Sequence, residues 1–254
     1  MKFIDTNRWS GAWPLSPVSL NGSSNRRPKA IGYEIKEALV SPFEAVFQMD
    51  PMPGNRANFE AVKKQRKCRP LPIINPATPA WEDHLEEVTE NNRVVAIRLL
   101  PGYHGYTLRS QAVKKLADRL KEKKLRLIIT TRLVDERHEH HSLNIKPVPL
   151  KHLKHFIEHE PKLHPLIQGL GIHELKELAK AEGTFSADTS FAEWEDTLRV
   201  MKLSIPVSRI LFGSLSPLQV DQAQFDKVRL SSLSQKQREA VAFDNAQSFF
   251  NLQA

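Results

Sequence analysis

The chain has 254 residues, 40% of them hydrophobic and 26% charged, a balance that excludes disordered and fibrous classes. Its formal charge of +8 invites a nucleic-acid reading, but the excess lies in "AVKKQRKCR" (61–69) and "AVKKLADRLKEKKLR" (112–126), both patterned as solvated faces of amphipathic helices. No apolar run reaches the roughly 18 residues of a membrane span, "MKFIDTNRW" is too short and too polar for a secretory signal, and the single cysteine, Cys68, excludes an internal disulfide. A cytoplasmic protein is therefore expected, with neither membrane nor nucleic acid as partner; a homo-oligomer stays open.

In chain order, short β-rich runs alternate with helical patterns. The runs are "KFID" (2–5), "FEAVFQM" (43–49), "LPIIN" (71–75), "VVAIRLL" (94–100), "LRLIITT" (125–131), "HPLIQGL" (164–170), "TFSADTS" (184–190) and "RILFGS" (209–214). Most are nearly continuous in Val, Ile, Leu and Phe, as strands buried on both faces should be. Helices are expected at roughly 30–40 and 57–67, and after Thr78-Pro79, where "AWEDHLEEVTEN" begins. Ser110 should cap "QAVKKLADRLKEKK", with Val113, Leu116, Ala117 and Leu120 on one apolar face. "HELKELAKAEG" should stop at Gly183, and Ser234 with Gln237 forms a capping box before "KQREAVAFDNAQSFF". Eight strands alternating with helices, with no linker or repeat, predict a single (β/α)8 barrel domain over residues 1–254. A doubly wound open sheet would want a Gly-rich turn after an early strand, and "NRWSGAWP" has one glycine.

Five stretches carry a family likeness: "FIDTN…GAWP", "NPATPAWEDHLEEV", "AIRLLPGYHGY", "DERHEHH" and "RILFGSLSP". With "AVAFDNAQSFF" near the end, the chain resembles the amidohydrolase-related, metal-dependent hydrolase barrels over nearly its whole length. That resemblance implies a metal at the barrel mouth, held by His-x-His after strand 1, a histidine at strand 5, His-x-Gly at strand 6 and Gly-Ser-Asp at strand 8. This chain instead has Asn7 and Trp9, "TTR" (130–132), Gly169-Leu170-Gly171, and Leu215 after Gly213-Ser214. Where a carboxylated lysine would stand at strand 4 there is Arg98, which stays protonated and cannot ligate. No mouth metal and no cofactor are expected. "DERHEHH" offers Asp135, Glu136, His138, Glu139, His140 and His141, metal ligands by type but without partners on other strands. His152, His155 and His159 at i, i+3, i+7 read as an exposed helix stripe.

Chemistry in such a barrel sits at the C-terminal ends of the strands. Those ends supply Asn7, Trp13, Asp50, Asn75, Arg98, Tyr103, His104, Tyr106, Arg132, Asp135, Glu136, Arg137, His140, Asp188 and Ser214. Arg98 and Arg132 must each be paired with a carboxylate, Asp135 or Glu136, or offered to an anionic ligand. In the second case they converge on one small anion, "GYHGY" walls it and Trp13 covers it, with Asn7, Arg137 and Ser214 completing the binding set. Glu136, His140 and His104 are the candidates for proton transfer. Two readings follow: a hydrolase or lyase of a small carboxylate or carbonyl compound that works without a metal, as the metal-independent lactonase branch implies, or an inactive barrel kept for binding or assembly. That branch keeps a strand-8 Asp where this chain has Leu215. A nucleic-acid role drawn from the charge is the weakest reading.

Overall fold

A computed structural model of the chain describes residues 1–14, 33–135 and 145–252. Its strands are β1 Lys2–Ser10, β2 Glu34–Pro42, β3 Cys68–Pro70, β4 Ala96–Leu99, β5 Arg126–Thr130, β6 Leu166–Gln168, β7 Ser186–Asp188 and β8 Ile210–Leu211. All pair in parallel, as a three-stranded sheet β1-β2-β3 and a five-stranded sheet β4-β5-β6-β7-β8. Short bridges close the two into a ring. Ile73 pairs with Arg98 on one side and Arg8 with Ser216 on the other; Arg98 N donates to Pro72 O at 2.9 Å and Trp9 N to Ser216 O at 2.9 Å. The predicted barrel fold is the one observed.

Helices α1 Met52–Lys63, α2 Trp81–Thr89, α3 Pro101–His104, α4 Gln111–Lys123, α5 Leu150–His159, α6 Ile172–Leu178, α7 Thr197–Lys202 and α8 Asp221–Arg229 follow the strands. The chain ends in α9 Gln235–Glu239 and α10 Asn245–Phe250, joined by a π turn at Ala240–Asp244. Ser110 caps α4 by accepting from Val113 N, and Ser234 with Gln237 forms the expected capping box. Four boundaries are corrected. Residues 34–42, expected within a helix, are the second strand; its last five residues, Ala38–Pro42, are buried. "FEAVFQM" is no strand: it opens with a 3-10 turn, and Phe43, Ala45 and Val46 owe their apolar character to capping the mouth. The third strand lies just before "LPIIN", and α6 ends at Leu178, short of Gly183.

Because side chains alternate along a strand, residues two apart share a face. The lower barrel interior holds Ile4, Leu39, Leu71, Ala96, Ile128, Leu166 and Leu211, packed against Ala246, Phe249, Phe250 and Leu252 of the C-terminal segment. That segment plugs the base. The larger apolar mass lies between strands and helices, where the α4 face of Val113, Leu116, Ala117 and Leu120 packs as expected. No helix among the described residues is long and apolar enough to cross a membrane.

Candidate functional site

Two residues beyond the apolar layer, the same period places Arg98 after Ala96, Thr130 after Ile128, Gln168 after Leu166 and Asp188 after Ser186. Together with Asn7 these make a polar layer below the mouth, and Arg98, Gln168, Asn7 and Asp188 are all at most 1% exposed. Arg98 Nη2 donates to Asn7 Oδ1 at 3.2 Å and to Gln168 Oε1 at 3.0 Å. Asn7 Nδ2 donates in turn to Asp188 Oδ2 at 2.8 Å and to Ser190 Oγ at 3.3 Å. The Asn7 amide thus bridges a buried guanidinium and a buried carboxylate. Gly213 makes room for this: a Cβ there would lie 2.4 Å from Asp188 Oδ2 and 2.9 Å from Asn7 Cβ.

Three atoms of the layer are left over. Arg98 Nε and Nη1 and Asp188 Oδ1 are buried with no well-aligned hydrogen-bond partner among the described residues. Orphaned buried polar atoms are uncommon and call for a water or ligand of complementary chemistry. Burial pulls the Arg98 guanidinium down to about 9 against the opposing pull of Asp188 and Asp5, so it remains a cation at neutrality. Burial pushes the Asp188 carboxyl above its ordinary range, against Asn7, Ser190, the Gly169 backbone and Arg98.

An apolar layer lies on the mouth side. Trp9 stacks on Phe43 with ring centroids 5.1 Å apart, and the Arg98 guanidinium carbon sits 4.1 Å over the indole. The indole N–H is committed to Asn7 Oδ1 at 2.9 Å. Ile73, Leu100, Leu133 and Leu215 complete the layer with Trp13, Ala45 and Val46. Leu215, at the position of the family's strand-8 Asp, is fully buried at φ +53°, a conformation costly for a branched side chain.

The two arginines take different partners. Arg132 ion-pairs with Glu174 and lies 6.0 Å from the Phe191 ring. Arg98 is balanced through Asn7 and Asp188. Ser214 Oγ donates to Asp5 Oδ2 at 2.6 Å, and Asp5 also pairs with Arg8 at 3.3 Å. Tyr103 accepts from Leu133 N at 3.0 Å, His104 Nε2 lies 3.2 Å from Ala45 O, and Trp13 packs 5.2 Å from Phe43 and 5.3 Å from Phe47. Burial lowers the His104 imidazole below its usual range. Tyr106 packs against the strand–helix core rather than walling the mouth. Asp135 is the last described residue before a gap; Glu136, Arg137 and His140, and the "DERHEHH" histidines with them, lie outside the described residues.

Reasoning from the sequence overlooked Gln168, Asp5 and Lys227. Gln168 was detectable as the polar member of an otherwise apolar strand, the signal that singled out Arg98. Lys227 of α8 is buried, donates to Thr189 O at 3.0 Å and Glu193 Oε1 at 2.8 Å, and is lowered by burial with Asp188 acting the other way.

The metal implied by the family resemblance does not fit this mouth. Asn7, Trp9, Gly169 and Leu215 offer no imidazole or carboxylate, and no group of three or more His, Cys, Asp or Glu suited to a metal occurs among the described residues.

No family model matches the chain, and no curated protein matches it in sequence. Solved structures do. A 2,6-dihydroxybenzoate decarboxylase from Rhizobium superposes with a TM-score of 0.75 at 13% identity, covering 99% of each chain. A dihydroxybenzoic acid decarboxylase from Polaromonas, with bound manganese and the inhibitor 2-nitroresorcinol, gives 0.73 at 15%, covering 100% of this chain and 98% of that one. A 5-carboxyvanillate decarboxylase from Sphingomonas paucimobilis gives 0.72 at 13%, with 99% of each covered. At these identities the likeness is one of fold: a (β/α)8 barrel.

Proposed function

We propose that the chain is a hydrolase or lyase that takes a small carboxylate or carbonyl compound at the barrel mouth and works without a mouth metal. Arg98 carries this reading: it is a fully buried cation whose Nε and Nη1 have no partner, held at the height where such barrels do chemistry. Nε and Nη1 face different edges of the guanidinium and Nη2 is committed to Asn7 and Gln168, so each free N–H is open to a separate acceptor, which an anionic ligand supplies with a charge-assisted bond. Asp188 stands one amide away, its carboxyl pushed above the ordinary range by burial, and is a further group placed to take part in proton transfer. Glu136 and His140 are the further proton-transfer candidates, with Arg137 beside them as a second anchor. The fold neighbours named for decarboxylating aromatic acids make benzoates the first substrates to try.

A second reading, an inactive barrel that only binds or assembles, is favoured by Trp9 and Leu215 filling the space above the polar layer. One experiment separates them. Thermal-shift screening with benzoate, 2,6-dihydroxybenzoate and small hydroxy acids and lactones is run on wild type, Arg98→Lys and Arg98→Met, followed by product analysis with and without a chelator. Stabilisation with chelator-resistant turnover, both lost in Arg98→Met, supports the enzyme; stabilisation without product supports the inactive barrel. Turnover abolished by chelator would refute metal independence, and no stabilisation by any acid would remove the pocket.

A further inference from the structure

At the opposite end of the barrel four consecutive strands bring a separate set of groups to one place. Arg126 opens β5, His164 stands two residues before β6, Ser186 opens β7 and Arg209 immediately precedes β8. Register places them on two neighbouring levels. Ile128 pairs with Leu166, which sets Arg126 level with His164, while Ser186 is level with Leu166 and with Arg209, two residues nearer the mouth. The His164–Ser186 contact joins the two levels. His164 Nε2 lies 3.0 Å from Ser186 Oγ. His164 and Arg126 both pack on the ring of Phe249, with a centroid distance of 5.5 Å for the imidazole and 5.1 Å for the guanidinium carbon.

The electrostatics are one-sided. Burial and the fields of Arg209 and Arg126 hold the His164 imidazole down at about 4, and no carboxylate acts to offset them. Neither arginine makes an ion pair or a side-chain hydrogen bond among the described residues. His164 also adopts φ +44°, a left-handed conformation that a histidine does not take without cost. The His164–Ser186 bond uses one of its two donors and leaves the other, the Ser186 hydroxyl or the imidazole N–H according to the tautomer; with two guanidinium groups it makes a donor set that matches a tetrahedral oxyanion.

We propose that the base of the barrel binds a phosphate group, free or at the end of a small organic molecule, through Arg126, His164, Ser186 and Arg209. The buried Phe249 ring packs against both His164 and Arg126 and so fixes their positions. The site is independent of the mouth chemistry and stands or falls without it.

Calorimetric titration with inorganic phosphate and with phenyl phosphate is the test, with His164 imidazole signals followed by NMR. Saturable binding that shifts those signals and weakens at least tenfold in Arg126→Met and in Arg209→Met is expected. Arg66→Met, which removes an exposed arginine elsewhere, should leave it unchanged. Tighter binding of phenyl phosphate identifies an organic phosphate as the ligand; equal binding points to the free ion. Absence of saturation by either compound, or equal weakening in all three variants, overturns the proposal. Both targeted arginines are partly exposed, so the variants should fold, and unchanged His164 signals on phosphate addition to wild type would be decisive on their own.

Discussion

Replacing Arg98 with methionine removes the one cation of the polar layer while keeping much of its volume. The loss can be built from contacts. Hydrogen bonds to Asn7 at 3.2 Å and Gln168 at 3.0 Å disappear, together with a desolvated cation–π contact at 4.1 Å over Trp9. Each bond from a charged donor is worth about 1.5–3 kcal/mol, and Asp188, reached through Asn7, also loses a cation that favours its ionised form. Burying methionine recovers part of this, and the terms overlap, so about 3 kcal/mol is the expectation at neutral pH, or roughly 6–12 °C in Tm for a chain of this size. The sign of the pH dependence is fixed as well. The folded-state pKa of Asp188 already lies above its ordinary value, so its protonated form favours folding at low pH, and stability falls as pH rises through that raised value. Arg98 is one of the groups holding it down, and without it the window extends upward. The stability gap between wild type and Arg98→Met should therefore be widest near neutrality and narrow towards about pH 5. Urea unfolding at both pH values measures it, with Arg98→Lys expected in between. A variant as stable as wild type near neutrality, or a gap that stays constant with pH, would refute the coupling.

Gly213→Ala pushes a methyl to 2.4 Å from Asp188 Oδ2 and should cost about 1–3 kcal/mol by urea titration, with loss of the Asn7–Asp188 bond. Ser234→Ala removes the hydroxyl that accepts from Gln237 N and should cost about 1 kcal/mol, read in the same way. His164, held at about 4 against an ordinary 6.5, lets the unfolded chain bind an extra proton between those values. Stability should thus be full above the ordinary value and decline as pH falls towards the depressed one, by about 1–2 kcal/mol once partial exposure is discounted. His164→Asn, which tolerates the left-handed backbone, should flatten that decline; an unchanged pH profile of stability would contradict it.

The barrel was legible because its strands are buried on both faces and its later helices carry strong caps. The first quarter was not. Glu34–Pro42 begins "EIKE", charged at 34, 36 and 37, which breaks the alternation of a strand, and without a turn signal this resembles a helix face as much as a strand edge. "FEAVFQM" is as apolar as any strand, but its Phe43 and Val46 are buried beneath the mouth. Burial there comes from a tertiary cap, which hydrophobic content alone cannot distinguish from a sheet. At the site, Arg98 and Asn7 could be placed from strand ends and period two. Their partners could not. Arg132 and Glu174 are 42 residues apart, and Asn7 reaches Asp188 across 181. Such pairings are set by the closing of the ring and leave no local signature.

The replacements at the family's ligand positions are tied to one another. Asn7 carries the hydrogen bonds that link Arg98, Trp9 and Asp188. Trp9 needs Asn7 for its indole N–H and Arg98 for its face, while Leu215 closes the same apolar layer at a strained φ. Replacing Asn7 would take partners from Arg98, Trp9 and Asp188 at once, so the mouth is an internally consistent arrangement. It does not supply partners for Arg98 Nε and Nη1 or for Asp188 Oδ1. A network that satisfies its neighbours so thoroughly while leaving donors and an acceptor orphaned in one buried layer is the arrangement that an incoming polar ligand would complete.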